Sequence, residues 1–212
     1  MNGFLSILYI LGLYCAFATG SMYLRDQSSS PRKFYFPQTT SLLLLTIGIP
    51  SILQFFFPML LSTLQRDYER FLHGDWWRLI SPLLVQDGGI SGTIFNLIGL
   101  AFVGSVAERM WNGRYMLIIF FIGGLIGEIV GFVWQPIGAG NSVGNFSLAA
   151  SIAVASLLRH PRKPVQILAI LALGADGVLL GLQDIHGAAA LIGAILALFL
   201  NRVWYDKKQE LG

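Results

Sequence analysis

Seven long apolar runs joined by short polar connections dominate this chain and leave it few ways to fold. They lie at 3–23, 40–61, 93–107, 115–134, 142–158, 165–182 and 185–201. About 20 apolar residues, at a rise of about 1.5 Å each, cross the roughly 30 Å hydrocarbon core of a bilayer. Inside that core each backbone N–H and C=O needs a partner, so such runs fold as helices. The shorter runs are expected to stop inside the protein. Only 12% of the residues are charged, about half the share of a soluble domain, and mean hydropathy is +0.66. These values exclude a disordered chain and argue against a soluble globular enzyme. The class they predict is all-α: a polytopic membrane helical bundle. The single cysteine, Cys15, lies inside the first run, which excludes an intramolecular disulfide and a cysteine metal site.

The basic residues predict an orientation. Arg25, Arg32 and Lys33 follow the first run, and Arg109 and Arg114 the third. Arg159, Arg162 and Lys163 follow the fifth, and Arg202, Lys207 and Lys208 the seventh. Eleven of the fourteen Lys and Arg residues thus fall on one side. That side is expected to be cytoplasmic, with the N-terminus outside and the C-terminus inside the cell membrane. The first run has no basic stretch before it and is followed by Arg25 rather than a small-residue cleavage site. It reads as a retained helix. Residues 1–38 then form a helix and cytoplasmic linker, 39–202 a membrane core, and 203–212 a cytoplasmic tail. The linker 26–33, Asp-Gln-Ser-Ser-Ser-Pro-Arg-Lys, is the one low-complexity stretch. Basic residues set between apolar runs do not form the basic face that nucleic acid requires. The partner surface is the lipid bilayer.

Residues 62–92 form the one long connection, expected outside. Its amphipathic centre holds Phe71, Trp76 and Trp77 among charges, which predicts an interfacial segment with the Trp pair at headgroup level.

Polar groups inside apolar spans are costly and mark candidate function. They are Asn96, Glu128, Asn141, Ser142, Asn145, Ser147, Asp176, Asp184 and His186; Ser147, like Ser151, reads as helix packing. Depth sorts the others. Counted back from Arg159, Arg202 and Arg109 at about 1.5 Å per residue, Ser142, His186 and Asn96 lie about 25, 24 and 20 Å from the cytoplasmic boundary. Their three helices run the same way, so a hydroxyl, an imidazole and an amide share one level. Those groups suffice for nucleophile, base and oxyanion donor. Small residues surround the serine in Gly138-Ala139-Gly140-Asn141-Ser142-Val143-Gly144, and others follow the histidine in His186-Gly187-Ala188-Ala189-Ala190. The serine also starts a helix, where free N–H groups favour a developing anion. Such a serine is ordinarily an N-cap, so spacing alone leaves the dyad open. The order Gly140-x-Ser142-x-Gly144, Asp184, His186 also fits the hydrolase nucleophile elbow, but a helical membrane chain cannot supply the sheet that elbow needs.

These residues resemble the rhomboid family of intramembrane serine proteases over roughly 74–201. Gly74-Asp75-Trp76-Trp77-Arg78 resembles the Trp-Arg segment of the family's first outer loop. Phe95-Asn96-Leu97 and Ala107-Glu108-Arg109 with Gly113 resemble its second core helix. Gly140-Asn141-Ser142 resembles the start of its Gly-x-Ser-Gly motif, and His186 with Gly193 its last core helix. The resemblance implies a six-helix core preceded by one extra helix. It further implies Ser142 as nucleophile, His186 as base and Asn96 as oxyanion donor, acting on transmembrane protein substrates without metal or cofactor. The chain departs from the pattern at Val143, where the family has Gly, and at Asp87 and Gly92, where histidines are frequent. Gly92 removes one side-chain donor. In this reading no aspartate completes a triad, and Asp184 caps its helix. Two alternatives stay open: an inactive family member that binds membrane helices, and a small transporter using Glu128 and Asp176. Glu128 otherwise braces neighbouring helices. The absence of internal repeats and of paired counter-charges argues against transport.

Overall fold

The structure, a computed structural model, describes residues 3–27 and 35–210, with side chains described as far as Arg202. Among the described residues, nine helices and two short strands follow in order: α1 (Gly3–Asp26), α2 (Gln38–Leu53), α3 (Pro58–Leu64), β1 (Arg66–Asp67), α4 (Tyr68–Leu72), α5 (Gly89–Gly99), α6 (Ser105–Trp134), β2 (Ile137–Gly138), α7 (Ser142–Arg159), α8 (Lys163–Gly181) and α9 (Ile185–Glu210). One π-helical turn, Leu100–Gly104, joins α5 to α6, and two 3-10 turns occupy Trp76–Leu79 and Ser81–Leu84. Among the described residues, five helical stretches are long and apolar enough to cross a membrane. The protein is an all-α, multi-pass integral membrane bundle.

One boundary differs from the expected runs. The run 40–61 is broken after Leu53. Phe57 precedes Pro58 and takes φ −126°, ψ 81°, because the proline ring disfavours helical geometry in the residue before it. The expected runs 93–107 and 115–134 are two helical arms within residues 89–134, and the chain turns back between them at Asn112. Asn112 stands at φ 62°, ψ 165°, a positive-φ conformation ordinarily left to glycine, and its Oδ1 accepts the N–H of Tyr115 at 3.2 Å. The reversal shows in the neighbours along α7. Asn96, before the turn, and Gly127, after it, both lie near the Ser142 end. Of the expected linker and tail, 28–34 and the side chains of 203–210 fall outside the described residues, and α9 continues to Glu210.

Helix α7 is the centre of the bundle, packed by α1, α6, α8 and α9 and buried along nearly its whole length. Lipid tails are as apolar as leucine, so close fit rather than water exclusion holds helices together here, and small residues permit it. A Cβ on Gly193 of α9 would stand 2.0 Å from the Ser147 carbonyl oxygen, and one on Gly123 of α6 2.0 Å from Ser147 Oγ. The Ser147 hydroxyl donates to the Ile119 carbonyl at 2.9 Å, as its packing role requires.

Residues 62–92 are less superficial than their charges suggest. Trp76 and Trp77 are exposed, as an interfacial segment demands, but Arg66 and Arg78 are each only 1% exposed. Arg78 donates to the Ser62 and Gln65 carbonyls and pairs with Asp75. Arg66 reaches into the bundle, pairs with Glu128 of α6 and donates to the Gln135 carbonyl at 2.7 Å. The counter-charge missing from the sequence pattern is therefore present, supplied from 62 residues upstream. Antiparallel pairing of β1 with β2 fixes the same segment to the loop that leads into α7.

Candidate active site

The loop Gly138–Asn141 delivers Ser142 to the first position of α7, and it is held on both sides. The Gly140 N–H donates to the Pro82 carbonyl at 3.0 Å. Asp87 Oδ2 accepts the Ala139 N–H at 2.9 Å, so this departure from the family pattern braces the loop. The cap position belongs to Asn141, and Ser142 Oγ is turned instead toward α9.

The end of α8 prepares the other partner. Gln183 takes φ 57°, its N–H donates to the Leu180 carbonyl, and the Asp184 N–H donates to the Leu179 carbonyl at 2.9 Å. This is a Schellman ending with Gln where Gly is usual. It reverses the chain within three residues and starts α9 at Ile185. Gly187 makes the tight start feasible, since a Cβ there would meet the Leu180 backbone nitrogen at 2.1 Å.

The structure brings Ser142 and His186 together, with Oγ 2.8 Å from Nε2. The other ring nitrogen, Nδ1, lies 2.6 Å from Asp184 Oδ1, which also accepts the His186 backbone N–H at 2.9 Å. Asp184 thus caps α9, as expected, and contacts the imidazole as well. Its Oδ2 accepts the hydroxyl of Tyr9 at 2.6 Å. Burial alone would raise the Asp184 carboxyl, but the hydrogen bonds from His186 and Tyr9 outweigh it and hold the group down to about 2. The imidazole is sandwiched between Tyr9 and Phe146, with ring centroids 4.7 and 4.9 Å away.

Asn96 belongs to a buried amide network. Its Nδ2 donates to Gln86 Oε1 at 2.7 Å, and Gln86 Nε2 donates to Asn141 Oδ1 at 2.8 Å. Gln54 completes the frame, accepting the Gln86 N–H and donating to its carbonyl, while Asn145 Nδ2 donates to the Asn96 carbonyl at 2.9 Å. These groups converge beside Gly140: a Cβ there would lie 3.1 Å from Ser142 Oγ and 3.3 Å from both Asn96 Nδ2 and Gln86 Oε1. The first-turn N–H groups of α7 also point toward the helix start without intrahelical acceptors.

A cavity of about 470 Å³ opens onto these residues, lined among others by Tyr9, Asn96, Ser142 and His186. Gly92 lies in its wall and contributes no side-chain donor. Val143 does not crowd it: the side chain is 1% exposed and sits where a Cβ on Gly127 would meet it at 3.3 Å. Glu128 is committed to Arg66. Asp176 is buried against α1 at Gly12, and its carboxylate has no hydrogen-bond partner among the described residues.

Sequence reasoning missed Gln86, Gln54 and the role of Tyr9. Gln86 could have been noticed as the polar residue ending the run Pro82–Val85. Tyr9 has no such signal, since its partner lies 175 residues away.

A family model of the rhomboid domain matches residues 73–207. "Rhomboid protease GluP" of Bacillus subtilis (strain 168) is 34% identical over 71 residues, which is 34% of this chain and 14% of that protein. "Putative rhomboid protease YdcA" of the same organism is 32% identical over 65 residues, 31% of this chain and 32% of that protein. In each case the match spans a third or less of the relative's own length.

Proposed function

The chain belongs to the rhomboid family, and from that premise we propose that it is an intramembrane serine endopeptidase cleaving transmembrane-helix substrates. The observation that carries the proposal is the 2.8 Å contact between Ser142 Oγ and His186 Nε2, set in a cavity at the end of a buried helix. A serine hydroxyl is a weak nucleophile until a base takes its proton. Here Ser142 Oγ attacks the scissile carbonyl carbon as His186 Nε2 receives that proton. The C–N bond of the tetrahedral intermediate then breaks, and the proton passes from His186 to the departing amine. Water attacks the resulting acyl-enzyme with His186 again as base, releasing the carboxylate and restoring Ser142. Asn96 and the N–H groups at the start of α7 stabilise the oxyanion.

Purified protein in detergent, incubated with a transmembrane substrate, tests this directly. Cleavage is expected, and Ser142→Ala should remove it while leaving the thermal midpoint unchanged. Equal activity of the two proteins would overturn the proposal. Gly92 favours a second reading, an inactive helix-binding member of the family, in which neither protein cleaves and both retain the substrate.

The proposed orientation is N-terminus outside and C-terminus cytoplasmic in the cell membrane, because basic residues cluster at one set of helix ends. Reporter fusions at 159–163 should score cytoplasmic and fusions within 62–92 external. The opposite result at either site would invert the topology and move the cavity to the other membrane face.

A further inference from the structure

Helix α1 lies outside the matched domain, which begins at residue 73, yet it forms one wall of the cavity through Ser6, Tyr9 and Ile10. It is not loosely attached. A Cβ on Gly20 would lie 2.5 Å from both Ile152 of α7 and Val106 of α6. Tyr9 is thereby delivered to Asp184 at 2.6 Å, and its ring lies 4.7 Å from the imidazole.

We infer that Tyr9 and Asp184 are positioning residues that hold His186 in one tautomer, making the extra helix α1 part of the catalytic centre. The inference rests on the protease reading for its rate effects, but the geometry stands apart from it. Neutral histidine carries one ring proton, and either nitrogen can bear it. A carboxylate at Nδ1 favours the proton there and leaves the Nε2 lone pair facing Ser142 Oγ. The same carboxylate stabilises the imidazolium formed when Oγ gives up its proton. Asp184 has three donors to satisfy: the His186 backbone N–H and Nδ1–H on Oδ1, and the Tyr9 hydroxyl on Oδ2. The hydroxyl fixes the carboxylate plane from α1, and the Schellman turn fixes it from α8. The remaining charged groups of the cavity do not compete for the imidazole. Arg66 pairs with Glu128, and Asp87 is engaged by the Ala139 N–H.

The test uses the full chain in detergent and the variants Asp184→Asn and Tyr9→Phe. Tyr14→Phe is the control, since Tyr14 is on α1 but 65% exposed. Asp184→Asn should lower kcat by about 10²–10⁴-fold, as a misplaced tautomer does in serine proteases generally, with KM nearly unchanged. Tyr9→Phe keeps the ring and should cost about threefold to tenfold, the scale of one hydrogen bond. Tyr14→Phe should cost nothing. ¹⁵N-histidine NMR provides a readout independent of turnover: His186, assigned with His186→Ala, should be the Nδ1–H tautomer in the wild type and lose that preference in Asp184→Asn. An inactive wild-type protein would sink the protease reading while the NMR tautomer still decided this one. An unchanged His186 tautomer in Asp184→Asn would overturn it.

Discussion

The two ends of α7 use polar groups for different purposes. Around Ser142, amides and charges form a connected set in which each member aims another: Gln54 and Gln86 hold Asn96, and Tyr9 and Asp184 hold His186. Toward Arg159 the polar contacts tie neighbouring helices together, some as single pairs and some through a shared group, as where His160 and Arg162 both meet Asp26 of α1. Trp111 Nε1 donates to Ser151 Oγ at 3.1 Å, the Thr19 hydroxyl donates to the Val165 carbonyl, and Glu108 accepts the N–H groups of Thr39 and Thr40 at the start of α2. At the first end a lost group should change a rate. At the second it should change stability alone. The difference teaches that a polar residue inside a membrane bundle cannot be assigned to chemistry by depth or burial; its connections decide.

The largest expected effect would break this division. Arg66 and Glu128 lie at the Ser142 end, beside the cavity, yet their contacts are those of a strut between the outer segment and α6. Arg66→Ala leaves a carboxylate buried without its partner, which costs about 3–5 kcal/mol in comparable pairs. Unfolding in denaturing detergent should register that loss. The double variant Arg66→Met with Glu128→Leu removes both charges and should recover most of the stability, together with any cleavage activity. Recovered stability with activity still lost would move this pair from scaffold to mechanism.

Next in size is Asn96→Ala. If Asn96 donates to the oxyanion, kcat should fall by about 10²–10³-fold with KM little changed, since the charge exists only in the transition state. If it serves only the amide network, the thermal midpoint falls and the rate per folded molecule is preserved. Gly140→Ala sharpens the same point from the other side. Its methyl would crowd Ser142 Oγ at 3.1 Å and Asn96 Nδ2 and Gln86 Oε1 at 3.3 Å, so the rate and the thermal midpoint are both expected to fall.

The sequence carried the geometry of the first end where it depends on helix register. Equal depth brought Ser142 and His186 to one level because α7 and α9 are regular helices, which convert residue count into distance, and the single π-helical turn between Asn96 and Arg109 did not undo the count. It failed where partners meet through turns. Asp184 reads as a cap, and it is one; that its carboxylate also faces the imidazole depends on the left-handed Gln183, a conformation no propensity favours for glutamine. Arg66 reads as a solvated loop charge because its burial depends on β1 pairing with β2, a match of only two residues on each side. The break after Leu53 was legible in Pro58, but a continuous apolar run of 40–61 hid it.

The smallest predicted effect lies at the second end and isolates it. Trp111 is 6% exposed, and its indole N–H reaches Ser151 of α7, while its ring carries the Arg159 guanidinium 4.7 Å from the centroid. Ser151→Ala deletes the acceptor and keeps both helices' shapes, because the site already accommodates a small side chain. Interhelical hydrogen bonds in membranes contribute about 0.6 kcal/mol on average, since the separated helices find other partners. The substitution leaves the Trp111 indole N–H without its acceptor, while the Leu148 carbonyl loses only a side-chain donor. A small fall in the unfolding midpoint is therefore expected. The kcat and the pH profile should match the wild type, because among the described residues no chain of side-chain hydrogen bonds leads from Ser151 to His186. A rate loss larger than the stability change would mean that packing along α7 sets the position of Ser142, and the two ends would then be one mechanical unit.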